Sequence, residues 1–477
     1  MTIVLILYFL LAIVLMGKLL LYGVRPTKTL AWLLAVFTIP VGGMLFYFIL
    51  GRNKKKNKLY KLKETKDIKE YLKKVEDYYN SIDSKSEDIP TQLKDHIKLV
   101  KLITKSTKFL PSSGNELIPL KDGSATFNAI FKAMESATQF IHIQYYIFED
   151  GELAQRFLTI LKRKVKEGVE VRFMYDDLGS RLLSNKYLTL LKNAGVEIYS
   201  FLPMRFGRFI SSLNYRNHRK IIIVDGLVAF TGGINVSDKY IKGDPNLGVW
   251  HDMHLQLKGP IVNSLQSVFA VDWSFASGKD NLLSTKYFIV HSGSGKSIAQ
   301  VISSGPDSDF SSIYQLYFSI INRATKYVYI TNPYIVPGEA LMEALQVAAL
   351  SGVDVRLMLS ANSDSHLVKW TVRSYFEDFL EAGVKIYQYP DGFLHSKVIV
   401  SDDELTTIGT ANLDIRSFEQ NYEVNVLIYE KEFAQKFKED FLKDCEKSNQ
   451  ISYDDFIKRS KNERLKEGIA KVFSPVL

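Results

Sequence analysis

The chain has 477 residues, 46% of them hydrophobic and 24% charged, with a formal net charge of +9. That is ample apolar material for two or three buried domains. A single cysteine, Cys445, excludes an internal disulfide, and a basic balance by itself does not single out nucleic acid as a partner.

Two apolar stretches open the chain. Thr2 to Val24 is apolar except for Lys18, and Thr29 to Gly51 has no charge, so each reaches the ~20 residues that cross a bilayer. The first lacks the basic start and small-residue cleavage site of a signal peptide, and only Arg-Pro-Thr-Lys separates it from the second. The pair therefore reads as a transmembrane helical hairpin over residues 1–51. Arg52, Lys54, Lys55, Lys56, Lys58, Lys61 and Lys63 follow at once, against Arg25 and Lys28 in the connection. By the positive-inside rule the amino terminus and everything beyond residue 51 face the cytoplasm, which makes the chain a multi-pass protein of the cell membrane. The same cations would attract anionic lipids. Residues 52–110, rich in Lys, Glu and Leu with few glycines, read as a basic helical linker.

From residue 111 a repeat emerges. Gly168 to Asp177 (GVEVRFMYDD) echoes Gly352 to Ala361 (GVDVRLMLSA), and Asn193 to Phe201 (NAGVEIYSF) echoes Glu381 to Tyr389 (EAGVKIYQY). Apolar strands alternate with helices that begin after Asp150 and near Pro337. The predicted fold class is α/β, with two pseudo-twofold-related α/β sandwich domains, 111–300 and 301–477, each with its own sheet. Beyond the first copy of this pattern, Pro203 to Lys220 interleaves Met204, Phe206, Phe209, Ile210 and Leu213 with Arg205, Arg208 and Arg216, a composition that suits a lipid interface or an ordinary packed segment equally. The carboxyl-terminal stretch from Tyr453 to Phe473 has helical periodicity and reads as a packing helix rather than a second membrane contact.

Each repeat ends on the same constellation. His218, Lys220 and Asp225 recur as His395, Lys397 and Asp402, followed by Gly-Gly-Ile-Asn235 in one copy and Gly-Thr-Ala-Asn412 in the other. A lone His-x-Lys on a strand is more often structural than catalytic, but duplication with the asparagines argues for a site. Residues two apart on a strand share a face, so each copy delivers an imidazole and an ammonium to one surface. Two such surfaces suit displacement at a phosphodiester: the imidazoles supply nucleophile and acid, while Lys220, Lys397, Asn235 and Asn412 hold the non-bridging oxygens. On this reading no metal and no cofactor is needed. Asp225 and Asp402 lie seven residues beyond their histidines, on the opposite face or at the strand end, and read as salt-bridge partners. His251 and His254 lack further ligands and read as a polar strand end rather than a metal site.

This pattern, H-x-K-x4-D with a downstream G-x-x-N, twice, resembles the phospholipase D superfamily. Within it the paired apolar segments, Arg25 to Trp32 (RPTKTLAW) and Phe473 to Leu477 (FSPVL) are similar to the bacterial cardiolipin synthases. The resemblance implies that all six motif residues belong to the catalytic set and that a carboxylate beyond each motif, Asp252 and Glu423, orients an imidazole. It further implies transfer between two phosphatidylglycerol molecules, giving cardiolipin and glycerol through a phosphohistidine on His218, with His395 as acid and then base, and with Ser417 in either a phosphate-binding or a structural role. The motifs alone leave open which histidine is the nucleophile and whether water is the acceptor, as in a hydrolytic phospholipase D. A nuclease or a non-catalytic scaffold fits less well: a membrane hairpin disfavours nucleic acid, and neither motif has lost a residue. The expected partners are phosphatidylglycerol and anionic membrane lipids; nothing in the sequence specifies an oligomeric state.

Overall fold

A computed structural model describes residues 2–22, 26–39, 42–47, 66–81, 89–203, 214–293 and 295–474. The chain divides into two compact units, 1–57 with 204–215, and 58–203 with 216–477. The cation cluster after residue 51, the Arg-containing tract 204–213 and the last three residues lie outside the described residues.

In the smaller unit helices cover Thr2–Tyr22, Pro26–Thr38 and Gly42–Phe46. Pro26 takes the first helical position, where a missing N–H costs nothing, so the second helix starts inside the expected Arg-Pro-Thr-Lys connection. That helix then stops at Thr38 instead of running unbroken to Gly51, two residues before Pro40, which disfavours helical geometry in the residue preceding it. Gly43 lets the third helix return against the second: a Cβ there would lie 1.9 Å from the Ala35 carbonyl oxygen. Ala12, Leu15, Val36 and Met44 form a small buried cluster, while Leu10, Leu11, Ile13, Val14, Leu20, Leu21, Leu30, Leu34 and Phe37 are exposed. Among the residues whose side chains are described, no helix is long and apolar enough to cross a membrane.

The larger unit begins with helices Lys66–Ser81, Thr91–Lys94 and Ile97–Thr107. Its first half holds strands β1 (Ser112–Leu120), β2 (Phe140–Tyr145), β3 (Glu170–Asp176), β4 (Glu197–Phe201), β5 (Arg216–Asn217), β6 (Ile221–Val224), β7 (Val228–Gly232), β8 (Trp250–His251) and β9 (His254–Lys258). The second half holds β10 (Ser297–Ser304), β11 (Tyr327–Thr331), β12 (Ile335–Val336), β13 (Asp354–Ser360), β14 (Lys385–Tyr389), β15 (Phe393–Leu394), β16 (Val398–Ser401), β17 (Leu405–Gly409), β18 (Leu413–Asp414), β19 (Asn421–Tyr429) and β20 (Asn449–Gln450).

The strand order is β20-β14-β13-β11-β16-β17-β19-β10-β1-β9-β7-β6-β2-β3-β4, which reads alike from the β10–β1 junction outward in both directions. In each half a parallel trio (β2-β3-β4, β11-β13-β14) meets antiparallel strands (β6-β7-β9, β16-β17-β19). The halves do not keep separate sheets: β1 and β10 pair antiparallel and fuse them into one 16-stranded sheet. The expected boundary at residues 300/301 falls within β10, whose six residue pairs with β19 tie it to the second half.

Helices cover both faces. Ile261–Ser277 and Lys431–Lys447, which follow β9 and β19, share one core with strands from both halves, including Trp273, Ala299, Tyr329 and Phe437. Each half has its own core on the opposite face. The helix Glu152–Lys166 buries Leu153, Ala154, Phe157, Leu158, Ile160 and Leu161, the three-to-four spacing of a core-facing stripe. The Ile221–Val224 run is buried throughout, as a strand covered on both faces requires.

The motif aspartates are built into this framework. Asp225 and Asp402 sit at positive φ (53° and 54°) in the turns after β6 and β16. Asp225 accepts from the amides of Thr138 (2.7 Å), Gln139 (2.8 Å) and Phe140 (2.8 Å) and from the Thr138 hydroxyl (3.0 Å). Asp402 repeats this with Thr325, its hydroxyl, Lys326 and Tyr327. Both therefore anchor the start of a neighbouring strand through backbone amides, correcting the salt-bridge reading. Removing an acceptor leaves several amides unsatisfied at once, so Asp225→Ala and Asp402→Ala should each destabilise the protein by about 2–4 kcal/mol. Thermal and urea unfolding should show that loss, while turnover per folded molecule stays near the parent value.

Candidate active site

Two very short parallel pairings build the site. In β5, Arg216 and Asn217 pair with Asn421 and Tyr422 at the start of β19; in β15, Phe393 and Leu394 pair with Trp250 and His251 of β8. The amide of His218 continues the first ladder to the Tyr422 carbonyl (2.9 Å), and that of His395 continues the second to the His251 carbonyl (2.7 Å). One residue further along each partner strand stands a carboxylate. His218 Nδ1 lies 3.0 Å from Glu423 Oε2, and His395 Nδ1 lies 2.7 Å from Asp252 Oδ2. Each imidazole is thus held by the carboxylate of the other half, an exchange that chain order does not suggest. An ionised carboxylate on Nδ1 fixes the tautomer that leaves Nε2 unprotonated and available.

The expected His–Lys face lies just outside the regular ladder, in the residues joining β5 to β6 and β15 to β16. Lys220 Nζ turns back to donate to the His218 carbonyl (2.7 Å), and Lys397 Nζ donates to the His395 carbonyl while lying 2.9 Å from His395 Nδ1 and 3.9 Å from Asp252 Oδ2. Asn235 and Asn412 follow the ends of β7 and β17. Asn235 Oδ1 accepts from the Ile147 amide (3.2 Å) and its Nδ2 faces the Tyr240 hydroxyl (3.4 Å). Asn412 is buried, and its Oδ1 has no hydrogen-bond partner among the described residues. Ser417 Oγ accepts from the Asn412 amide (3.2 Å), so here it shapes the turn carrying that asparagine.

The turns differ in an informative way. A Cβ on Gly233 would lie 2.0 Å from Asp252 Oδ1, so the first turn needs glycine to make room for its carboxylate. The matching residue in the second turn is Thr410, and its hydroxyl donates to Glu423. The difference between Gly-Gly-Ile-Asn and Gly-Thr-Ala-Asn was the available signal for this partner.

Other contributors gave no sequence signal. Arg219, the unspecified middle residue of the first motif, forms a buried fork with Asp272 (2.6 and 2.7 Å), reaches Ser303 Oγ (2.6 Å) and donates to the Glu423 carbonyl (3.1 Å). Gln144 and Asn217 both donate to the same Asp272, and Asp176 at the end of β3 accepts from the Asn217 amide. The second motif has Ser396 in the middle place and is surrounded instead by rings: Trp250, Phe393, Tyr240 and Tyr334 lie 5.2, 5.8, 6.4 and 6.5 Å from His395. Tyr146 stands edge-on to His218 at 4.7 Å.

Burial dominates the electrostatics. It lowers His218 to about 4 and His395 to about 3, in the second case with Lys397 adding to the effect, so both imidazoles are neutral at neutral pH. It lowers Lys220 to about 7 and Lys397 to about 8. Burial pushes Asp252 and Glu423 upward, but Lys397 and His395 beside the one and His218 and Lys220 beside the other outweigh it, and both stay ionised. Two carboxylates thus face two lysines whose own pKa values lie near neutrality. An arriving phosphodiester adds negative charge and draws protons onto lysine and imidazole. Among the described residues no group of three His, Cys, Asp or Glu is arranged to hold a metal, and His254 is buried with neither ring nitrogen hydrogen-bonded.

The family model described as cardiolipin synthase, PLD-like domain, matches residues 130–273 and 317–445, one stretch per half. The chain belongs to the cardiolipin synthase family. A second family model, phospholipase D-nuclease N-terminal, matches residues 4–52. Cardiolipin synthase of Geobacillus sp. strain WCH70 is 40% identical over 457 residues, 95% of this chain and 89% of the relative. That of Clostridium perfringens strain SM101 is 38% identical over 461 residues, 95% of each. Phosphatidylserine synthase of Haemophilus influenzae Rd KW20 shares the two-domain phospholipase D-like α/β fold, with a TM-score of 0.58 and 13% identity over 76% of this chain and 95% of that one.

The exchange of carboxylates makes a specific demand on variants. Glu423→Gln should impair whatever His218 does and Asp252→Asn whatever His395 does, each lowering kcat by roughly 10²–10⁴ because a misplaced proton presents the wrong nitrogen. Rapid-quench kinetics assign the affected step: Glu423→Gln should slow formation of a covalent intermediate. If Asp252→Asn alone slows that step, the pairing does not operate as the geometry requires.

Proposed function

We propose that the chain joins two phosphatidylglycerol molecules by double displacement at phosphorus. The enzyme is a phosphatidyltransferase with cardiolipin synthase activity, acting on phospholipids. The observation that carries the mechanistic reading is the pair of neutral imidazoles, each backed at Nδ1 by an ionised carboxylate. His218 Nε2 attacks the donor phosphorus, the bond to the headgroup glycerol oxygen breaks, and His395, protonated once the phosphodiester is bound, gives its proton to the departing glycerol. The headgroup hydroxyl of a second phosphatidylglycerol then loses its proton to His395 and attacks phosphorus; the P–N bond breaks, cardiolipin leaves and His218 is restored. Lys220 and Lys397 hold the non-bridging oxygens as they become charged, with the side chains of Asn235 and Asn412 completing the cradle. The polar strapping of His218 by Arg219 and Asp272 suits a nucleophile that must keep its position, and the ring-lined surroundings of His395 suit a group that alternately carries and releases a proton. No step calls for a metal.

His218→Ala and His395→Ala should each reduce turnover by several orders of magnitude with the fold intact. With phosphatidylglycerol vesicles and chelator present, cardiolipin and glycerol should form in equal amounts, and a phosphohistidine should be trapped in His395→Ala but not in His218→Ala. Trapping it on His395 reverses the roles. Glycerol released without cardiolipin makes water the acceptor.

The unit formed around residues 1–57 serves, in this reading, as a membrane-embedded hairpin with the catalytic unit on the cytoplasmic face. Its support is the exposed apolar surface of Leu10 to Phe37, far larger than a soluble unit of this size tolerates, and the cations that follow residue 51. The full chain should resist carbonate extraction. In a Cys445→Ala background, Lys28→Cys should react with an impermeant maleimide on intact cells, whereas Lys186→Cys should react only after lysis. Extraction by carbonate overturns the hairpin, and labelling at residue 186 on intact cells inverts the topology.

A further inference from the structure

The helix Lys461–Val472 has two unlike faces. One packs on the helix His366–Arg373: Glu467 accepts from Arg373 (3.2 Å) and Arg459 (2.8 Å), and the Ala470 carbonyl accepts from the Thr371 hydroxyl (3.0 Å). The opposite face carries Leu465, Ile469, Val472 and, just past the helix, Phe473, which are 61, 55, 75 and 46% exposed. These positions are spaced by four, three and one residues, so at 100° per residue they form one stripe about 100° wide. An ordinary packing helix turns such a stripe inward. Here it faces outward, and the inward face holds a glutamate.

The charges sort with the stripe. Lys466 borders it on one side, its ammonium over the Trp370 ring at 5.3 Å, and Lys461 borders it on the other, both exposed; Arg464 and Lys471 lie toward the packed side, where Arg464 donates to the Ile457 carbonyl (2.6 Å) and Lys471 lies 3.3 Å from Asp378. The only two acids of the helix point the other way. Glu467 is buried between two arginines, and Glu463 closes a capping box with Ser460 and lies 3.7 Å from Arg373. The outward side therefore presents apolar side chains rimmed by Lys461 and Lys466, neither of which has an acidic partner among the described residues. That combination fits neither a second copy of the same cationic face nor an ordinary aqueous surface, and it matches the profile of an anionic bilayer, hydrocarbon inside and phosphate at the rim.

We propose that Lys461–Phe473 is a second membrane contact, separate from the amino-terminal unit. The helix lies in the headgroup layer of an anionic membrane, with Leu465, Ile469, Val472 and Phe473 among the acyl chains and Lys461 and Lys466 snorkelling to lipid phosphates. It stands against the second half of the catalytic unit through the helix His366–Arg373, so it fixes that half relative to the lipid surface.

The test uses the full chain with Cys445→Ala and an environment-sensitive fluorophore on Ile469→Cys, or on Lys186→Cys as a control, reconstituted in nanodiscs. With phosphatidylglycerol discs, lipids brominated in the upper acyl chain should quench the label at 469 at least about threefold more than at 186, and aqueous iodide should quench it less. Val472→Cys should repeat the result. Combined Lys461→Gln and Lys466→Gln, or replacement of phosphatidylglycerol by neutral choline lipid, should reduce the difference. Equal quenching at 469 and 186 overturns the proposal. So does protection from iodide already complete in detergent without lipid, since another protein surface, in this chain or a second copy, then covers the stripe.

Discussion

Everything at the centre of the larger unit depends on two strand pairings of two residues each. Parallel pairing of β5 with β19 and of β8 with β15 crosses from one half to the other, and its register puts His218 beside Glu423 and His395 beside Asp252. Such short ladders supply little energy themselves. Their register is imposed by the continuous sheet through β1 and β10 and by the helices that pack one common core across both halves. Slipping either pair by one residue would turn the carboxylate to the opposite face, because strand side chains alternate.

Crossing has a chemical consequence. Neither half is a complete site: each owns a histidine and the carboxylate that serves the other's histidine. The imidazoles are deeply buried, and without an ionised partner at Nδ1 burial would leave their tautomer unspecified. The lysines oppose the carboxylates, while burial lowers their own pKa values toward neutrality. A site with this balance gains positive charge only as an anion enters, which is when it is needed.

Symmetry of the backbone does not extend to the surroundings. The first motif is strapped by a buried network around Asp272, and the second is lined by aromatic rings. Gly233 and Thr410 occupy equivalent turn positions, one vacating space for a carboxylate and the other donating a hydroxyl to one. Duplication supplied two equivalent frames, and different side chains then made their histidines chemically unlike.

Much of this was legible from residues alone. The repeat of GVEVRFMYDD in GVDVRLMLSA located matching strands, buried runs such as Ile221 to Val224 located strands covered on both faces, and the doubled histidine and lysine marked groups that the fold gathers around the two carboxylates. These are local patterns with periods of two or a few residues, and local conformation obeys them. Other readings failed where the deciding contact was remote. Asp225 and Asp402 looked like partners for cations, yet their carboxylates serve amides some 85 and 75 residues away in sequence. The carboxyl-terminal helix does pack on its neighbour, yet periodicity records that a stripe exists without recording which way it faces. Which carboxylate meets which histidine, and which face of a helix meets solvent, depend on how elements distant in sequence close on one another; a one-dimensional pattern holds no term for that, so only the tertiary structure decided them.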